Sequence, residues 1–295
     1  MKISLKQMRY AVAVAETGHF GRAAERCHIS QPALSQQIQL LETLCGAALF
    51  DRLKRSVRLT PFGREFVARA KPVLEAAEAL DAFMQGQADT PDRPIRFGLI
   101  PTVAPYLLPD AFPALRREFT AFDFTISENK TDALLSGIAD GSLDLALIAT
   151  DPAQTGVRLH VEPLFDDPFV LATSAEETIV QPVQLSTLKP DRMLLLDEGH
   201  CFREQAIAAC RFEADQDGRT FAATSLSTIV EFVANGQGVT LLPRIALKKE
   251  AAGNRIATHA LAAPGAGRKL SLVWREGAPF SASYEAIARV IRQCR

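Results

Sequence analysis

The amino-acid sequence predicts a multi-domain α/β protein: a small helical module at the N-terminus, a long helix after it, and a larger body of alternating strands and helices. Three observations carry that prediction. The first is size and charge. The chain has 295 residues, 47% hydrophobic and 23% charged, the balance of a soluble globular protein long enough for more than one domain. Its formal net charge of −1 conceals a split. Met1 to Lys71 hold 12 Lys and Arg against 5 Asp and Glu, a net of +7, while the remainder holds 21 against 29, a net of −8. The second is a cap-and-periodicity pattern from Phe20 to Gly46. The third is a change, from Ile95 onward, to short apolar runs separated by stretches of helical spacing.

In the N-terminal block, Phe20 to Cys27, FGRAAERC, reads as a short helix in which Ala23 and Ala24 permit close packing. His28-Ile29-Ser30 follows as a tight turn. Ser30 is a good N-cap, and Pro32 sits in the first turn of the next helix, where its missing N–H is harmless. That helix, QPALSQQIQLLETLCG, carries Leu34, Ile38, Leu41 and Leu44 on one face and ends at Gly46. Its other face offers Gln31, Ser35, Gln36 and Gln39, side chains suited to base edges and phosphates in a major groove. FDRLKRSVRLT then places Arg52, Lys54, Arg55 and Arg58 around a β-hairpin, a basic wing against phosphate. A basic helix-turn-helix on an acidic body is the charge pattern of a nucleic-acid-binding module joined to a different kind of domain.

These residues carry a family resemblance. Ala23-Ala24, the run from Ser30 to Ser35, Ile38, Leu41-Glu42 and the run from Gly46 to Arg52 resemble the DNA-binding segment of LysR-type transcriptional regulators, in register over some thirty positions. The resemblance implies a winged helix-turn-helix over 1–60, with DNA contacts from Arg22, Ser30, Gln31, Pro32, Ser35, Gln36, Gln39, Arg52, Lys54 and Arg55. It also implies double-stranded DNA as partner and a homo-oligomer, a tetramer built as a dimer of dimers. Symmetric dimers read half-sites about one helical turn apart or a multiple of it, so the operator is expected to be pseudo-palindromic.

Thr60-Pro61 opens a linker helix over 61–87, again as N-cap and first-turn proline. Phe62, Phe66, Ala70, Val73, Ala77, Leu80 and Met84 form one apolar stripe, which in the family pairs with its twin in a dimer. Pro72 removes a helical hydrogen bond and predicts a kink or a break near Ala68. A polar, breaker-rich hinge follows at 88–94.

From Ile95 to the end the regulatory body is expected to hold buried parallel strands, among them IRFGLIP and LDLALIAT, with helices between them. In the family this domain is two α/β subdomains around a cleft, similar to periplasmic binding proteins. The predicted division is 95–163 with 268–295 for the first subdomain and 164–267 for the second. Chain crossings are expected near Glu162–Asp166 and Gly265–Lys269.

Five cysteines, at 27, 45, 201, 210 and 294, are odd in number and irregularly spaced, unlike a secreted disulfide scaffold. No run approaches the roughly 20 apolar residues of a membrane helix, and AVAVA near the N-terminus is too short for a signal peptide, so a cytoplasmic protein is expected. Cys27 and Cys45 read as small packing residues, Cys294 as a surface thiol, and His19 and His28 as structural. Cys201 and Cys210 are different. Their spacing suits neither a tetrahedral metal site nor a disulfide inside one helix, because nine residues of helix rise about 13 Å. A disulfide needs Cα atoms no more than about 7 Å apart. The pair is therefore unrelated, or it joins only if the local structure changes.

LLLDEGHCFREQAIAAC, with IPTVAPYLLP, ENKTDALL, PLFDDP and the ATSLSTI…GQGVTLLP stretch, resembles the branch of the family that senses hydrogen peroxide. The resemblance implies that Cys201 reacts with peroxide and Cys210 resolves the sulfenic acid into a disulfide, with Thr102, Thr131, His200 and Arg268 lining the peroxide pocket. It implies no metal, no cofactor and no turnover enzyme. A thiol reductant would reset the switch, and RNA polymerase is a further possible partner. The residues fit such chemistry. Peroxide reacts with thiolate, and a helix starting at Asp197 or Gly199 would set Cys201 in its first turn, where the dipole favours an anion. His200 and Arg203 are local donors or cations, and threonine hydroxyls both donate and accept. Two other readings stand beside this one: a regulator whose cleft binds a small organic metabolite, and a thiol peroxidase fused to a DNA-tethering head.

Overall fold

The structure, a computed structural model, describes residues 3–53, 56–84, 93–152, 156–212, 222–262 and 266–294. It divides into two compact units. The first is Met1–Thr90 with the short segments Ala139–Ser142 and Gly277–Phe280, and the second is Pro91–Ile138, Leu143–Glu276 and Ser281–Arg295.

The first unit contains α1 (Leu5–Thr17), α2 (Phe20–Arg26), α3 (Gln31–Cys45), a hairpin of β1 (Phe50–Leu53) and β2 (Ser56–Leu59), and α4 (Pro61–Met84). Local chemistry sets the helix ends. Ser4 and Gln7 form a reciprocal capping box on α1, the His19 ring accepts from Gly21 N–H at α2, and the Ser30 hydroxyl accepts from Ala33 N–H at α3. Gly46 closes α3 in the left-handed region. Ala11, Val14, Ala23, Ala24, Leu34, Ile38, Leu41 and Leu49 form the core, with Cys27 and Cys45 packed on its margin. Burial pushes both thiols above the ordinary value.

Three expectations for this unit need correction. Leu44 does not join the buried face of α3 but is 46% exposed, because Cys45 and Gly46 end the helix just beyond the core. The linker helix does not break at Pro72 and runs unbroken from Pro61 to Met84. Its inner face is held on both sides of the proline, with Val67, Ala70 and Leu74 buried and Lys71 3.6 Å from Glu16, so one missing hydrogen bond does not end it. The predicted stripe also splits: Ala70 faces inward, while Phe62, Val73 and Leu80 are exposed.

The second unit begins with β3 (Ile95–Leu99), α5 (Ala104–Glu118), β4 (Phe124–Glu128), α6 (Thr131–Asp140) and β5 (Leu145–Ile148). It continues with the long β6 (Leu159–Ser174), β7 (Leu195–Leu196), α7 (Cys201–Cys210), β8 (Ala222–Ala223) and α8 (Leu226–Ala234). β9 (Thr240–Pro243), α9 (Leu247–Glu250), β10 (Ile256–His259), β11 (Gly267–Arg275) and α10 (Ser281–Gln293) complete it. The main sheet runs β10-β6-β11-β5-β3-β4, with β9 also paired to β6. β4, β3 and β5 are parallel, as the apolar runs predict; β6, β9, β10 and β11 pair antiparallel, which they do not predict.

β6 and β11 lie side by side, with Asp166 opposite Lys269 and Phe165 opposite Leu270. The two stretches expected to carry the chain across are thus neighbours, although Gly265 lies outside the described residues. Gly98 in β3 is required by packing, since a Cβ there would lie 2.4 Å from a Leu134 methyl on α6.

Asp144, at the entry to β5, is held by Arg93 and Arg96 at 2.8–3.0 Å through both carboxylate oxygens. Burial works to raise its pKa, but the hydrogen bonds and charges of the two guanidiniums outweigh it and hold the carboxyl at about 2, below the usual 3.8. A depressed carboxylate stabilises the fold above its unfolded pKa and loses that contribution as pH falls through the folded value. Asp144→Asn is therefore expected to lower unfolding free energy by about 2 kcal/mol near neutral pH. Urea unfolding should show this gap closing between about pH 4 and pH 2, and a gap independent of pH would refute the assignment.

Candidate functional site

Three segments that follow strands converge in the second unit. Thr102 lies in the turn after β3, Thr131 is the first residue of α6 after β4, and Gly199 to Cys201 lead from β7 into α7. Ligand sites at the C-terminal ends of strands are the rule for α/β sheets. Ile100, Pro101, Thr102, Lys130, Thr131, Gly199, His200 and Cys201 line one small cavity, with room for one water-sized molecule.

Cys201 is half-buried and is the first residue of α7, with His200 as N-cap. No side chain caps this helix end, so its first-turn N–H groups and the dipole favour negative charge at a first-turn side chain. Gly199 makes the approach with φ of 83°, in the left-handed region, where a Cβ would also crowd the Lys130 side chain at 3.1 Å. His200 is buried, and its Nε2 lies 2.9 Å from Asp197 Oδ1. Burial lowers its pKa, Asp197 opposes that, and the Lys130 charge adds to the lowering.

The two threonines are set up differently. The Thr102 hydroxyl oxygen accepts from Arg268 Nη1 at 2.7 Å, which leaves its proton available to the cavity. The Thr131 hydroxyl is buried and has no hydrogen-bond partner among the described residues. An orphaned buried hydroxyl beside a small cavity calls for a polar occupant.

Arg268 was expected in the lining but stands behind it. It is fully buried, donates to the Thr102 hydroxyl and carbonyl at 2.7 and 2.9 Å, and pairs with Asp167 at 2.9 Å. Asp167 in turn accepts from Ile245 N–H. Arg203 likewise turns away from the cavity and donates to the Leu196 carbonyl at 3.2 Å. Cys210, at the far end of α7, is buried in a core with Leu195, Phe202, Ala206, Val233 and Leu241. Along the helix it is about 13 Å from Cys201.

Sequence reasoning missed four contributors: Lys130, Asp197, Asp167 and Gln205. Gln205 donates to the Ala149 carbonyl after β5 at 2.6 Å, fastening α7 to the parallel strands. Its place four residues beyond Cys201 marks the same helix face, a signal that was available. Asp167 and Lys130 carried no such periodicity; only the fold brings them to Arg268 and Gly199.

Of the residues expected to contact DNA, Gln31, Pro32, Gln36 and Gln39 are exposed along α3, Ser35 is half-buried, and exposed Ser30 serves as the cap. Arg22 is exposed and donates to the Thr17 carbonyl at 2.7 Å. Arg52 contributes only its backbone to the described structure, in β1, and Lys54 and Arg55 lie outside the described residues. Among the described residues no helix is long and apolar enough to cross a membrane.

A helix-turn-helix unit followed by an α/β domain with a cavity at its strand ends defines a class: ligand- or signal-responsive bacterial regulators. The family "Bacterial regulatory helix-turn-helix protein, lysR family" matches residues 5–64, and "LysR substrate binding domain" matches 88–295. The chain is 38% identical over 294 residues to a hydrogen peroxide-inducible genes activator of Pectobacterium carotovorum, covering 99% of this chain and 96% of that protein. It also matches a full-length OxyR variant from Pseudomonas aeruginosa with a TM-score of 0.87 and 36% identity, covering 100% of this chain and 96% of that one. A hydrogen-peroxide-bound OxyR mutant from Corynebacterium glutamicum matches with a TM-score of 0.66 and 32% identity, covering 100% and 94%. The chain belongs to the LysR family, in its OxyR branch.

Proposed function

We propose that this chain is a DNA-binding transcriptional regulator that senses hydrogen peroxide through Cys201, with Cys210 as the resolving thiol. The observation that carries the reading is the cavity itself: Cys201 at a helix N-terminus shares a water-sized space with the hydroxyls of Thr102 and Thr131. That space suits a small polar oxidant and is too small for an organic metabolite.

In the first step the Cys201 thiolate attacks one peroxide oxygen and the O–O bond breaks. Sulfur is oxidised to sulfenic acid, and the other oxygen leaves as hydroxide, which takes a proton to become water. The threonine hydroxyls hold the peroxide, and donors at the departing oxygen stabilise its developing charge. Arg268 acts through Thr102, fixing which way that hydroxyl donates. In the second step the Cys210 thiolate attacks the sulfenic sulfur and displaces hydroxide, forming the disulfide. Because α7 keeps the two sulfurs far apart, this step requires the helix to unwind, and Cys210 or its neighbours must leave the core. Oxidation is thereby coupled to shape.

The same reading assigns operator contacts to Arg22, Ser30, Gln31, Pro32, Ser35, Gln36, Gln39, Arg52, Lys54 and Arg55. It divides the chain at 60, 87 and 94, with subdomains of 95–163 with 268–295 and of 164–267. The regulator works as a homotetramer on a pseudo-palindromic operator in the cytoplasm, is reset by a thiol reductant and contacts RNA polymerase. Each switching event reduces one peroxide without turnover, which separates it from a thiol peroxidase.

Thiol mapping by mass spectrometry tests the core of this reading. One equivalent of peroxide added to reduced protein should yield the Cys201–Cys210 disulfide and leave Cys27, Cys45 and Cys294 as thiols. Burial raises all three of those bystander pKa values, which disfavours their thiolates. Equal reactivity across the cysteines would overturn the assignment.

A further inference from the structure

We propose that Lys130 is a positioning residue that latches the turn before Cys201 in the reduced state and sets the rate of disulfide closure. The proposal rests on the peroxide-sensing reading above and adds to it a residue that the reading does not use.

Lys130 lies in the loop between β4 and α6, immediately before Thr131. Its ammonium donates to the Glu198 carbonyl at 2.5 Å and lies 3.5 Å from Asp197 Oδ2. Its side chain passes against the α-carbon of Gly199, where no larger residue would fit without displacing it. One cation therefore fastens two consecutive residues, Asp197 and Glu198, to the loop that carries the orphaned Thr131 hydroxyl. The Asp197 carboxylate thus lies between the Lys130 ammonium, 3.5 Å from Oδ2, and the His200 ring, 2.9 Å from Oδ1.

The latch lies on the path of the switch. Only Gly199 and His200 separate Glu198 from Cys201, so drawing Cys201 toward Cys210 pulls directly on the turn that Lys130 holds. Cys210 is 3% exposed, packed in a hydrophobic core, whereas Cys201 is half-buried at a helix end without a side-chain cap. The Cys201 end is thus the cheaper one to release, and its release takes the turn with it. A contact present in the starting state and lost on the way to the disulfide slows closure. Lys130 and Asp197 side chains are 40% and 35% exposed, so dissolved salt screens this contact in part.

The test measures two rates separately in the full chain: sulfenic-acid formation, trapped in a Cys210→Ser background, and closure, followed by rapid quench and mass spectrometry. In Lys130→Met, closure should accelerate about fivefold, the scale of one partly screened charge-assisted hydrogen bond. Oxidation should change by a smaller factor. Wild-type closure should speed up as salt is raised, Lys130→Met should lose that dependence, and Lys130→Arg should restore both the slow rate and the salt effect. Closure within twofold of wild type, an equal change in both steps, or failure of arginine to restore them would overturn the latch. Absence of any Cys201 oxidation in the wild-type chain would instead overturn the peroxide reading, and this inference with it.

Discussion

Cys201→Ser is expected to abolish the response of DNA binding to hydrogen peroxide entirely, whereas Cys210→Ser is expected to stop the chain at the sulfenic acid. The difference follows from which atom meets the peroxide. A thiolate is the nucleophile; a serine hydroxyl at the same place stays protonated and does not open the O–O bond. Cys210, buried in its core, has no access to the cavity until α7 unwinds. Without it no covalent bond holds the rearranged state, and a peroxide-driven change in affinity should be weak and short-lived. Fluorescence anisotropy of labelled operator DNA, titrated with peroxide, reads both variants. A Cys201→Ser chain that still responded would leave the α7 cysteines without a sensing role. Thr131→Val gives a graded control. It removes the unpartnered hydroxyl while keeping the shape, and should slow Cys201 oxidation by about 100-fold if that hydroxyl donates to the departing oxygen.

Arg268→Met is expected to be the most damaging substitution for stability, by about 3–5 kcal/mol or roughly a 10 °C fall in Tm. The Arg268 and Asp167 side chains are 0% and 1% exposed and 2.9 Å apart. Removing the guanidinium strands a carboxylate in a place water does not reach, and it also frees the Thr102 hydroxyl and carbonyl from two donors. The pair as such is not the source of the effect. Replacing both charges is gentler than removing one, so Arg268→Met combined with Asp167→Asn should regain a substantial part of the loss, since asparagine can still accept from Ile245 N–H. Thermal unfolding of the two variants decides this. A double variant no more stable than the single one would mean that the buried charge is not what destabilises it. The single variant should also oxidise more slowly at Cys201, through the loosened Thr102.

The N-terminal module was legible from Phe20 onward, but α1 (Leu5–Thr17), with its Ser4–Gln7 capping box, was not read. Ser30, Pro32 and Gly46 mark the ends of α3 by local backbone chemistry, and Leu34, Ile38 and Leu41 mark its buried face by period. Such signals act within a few residues and need no knowledge of the fold. Pro72 misled because a proline argues only for its own turn. The packing of Val67, Ala70 and Leu74 on either side of it overrides that local preference. In the larger unit, β3 and β5 could be read as buried strands, but the antiparallel pairing of β6 with β11 could not, since pairing direction is set by how distant segments meet.

What the sequence by itself determined is most of the elements and the reactive segment: a capped helix-turn-helix, alternating strands and helices, and two cysteines nine residues apart in one segment. Inside one regular helix that spacing requires a change of shape for any bond between them. Tertiary structure decided the rest. It put Thr102, Thr131 and Cys201 around one small space, moved Arg268 out of that space to stand behind Thr102, and brought Lys130 across to the turn before the thiol. Helix ends and periods are set by interactions between near neighbours in the chain. The site is made by contacts such as Arg268 with Thr102, 166 positions apart, and these exist only once the sheet has closed.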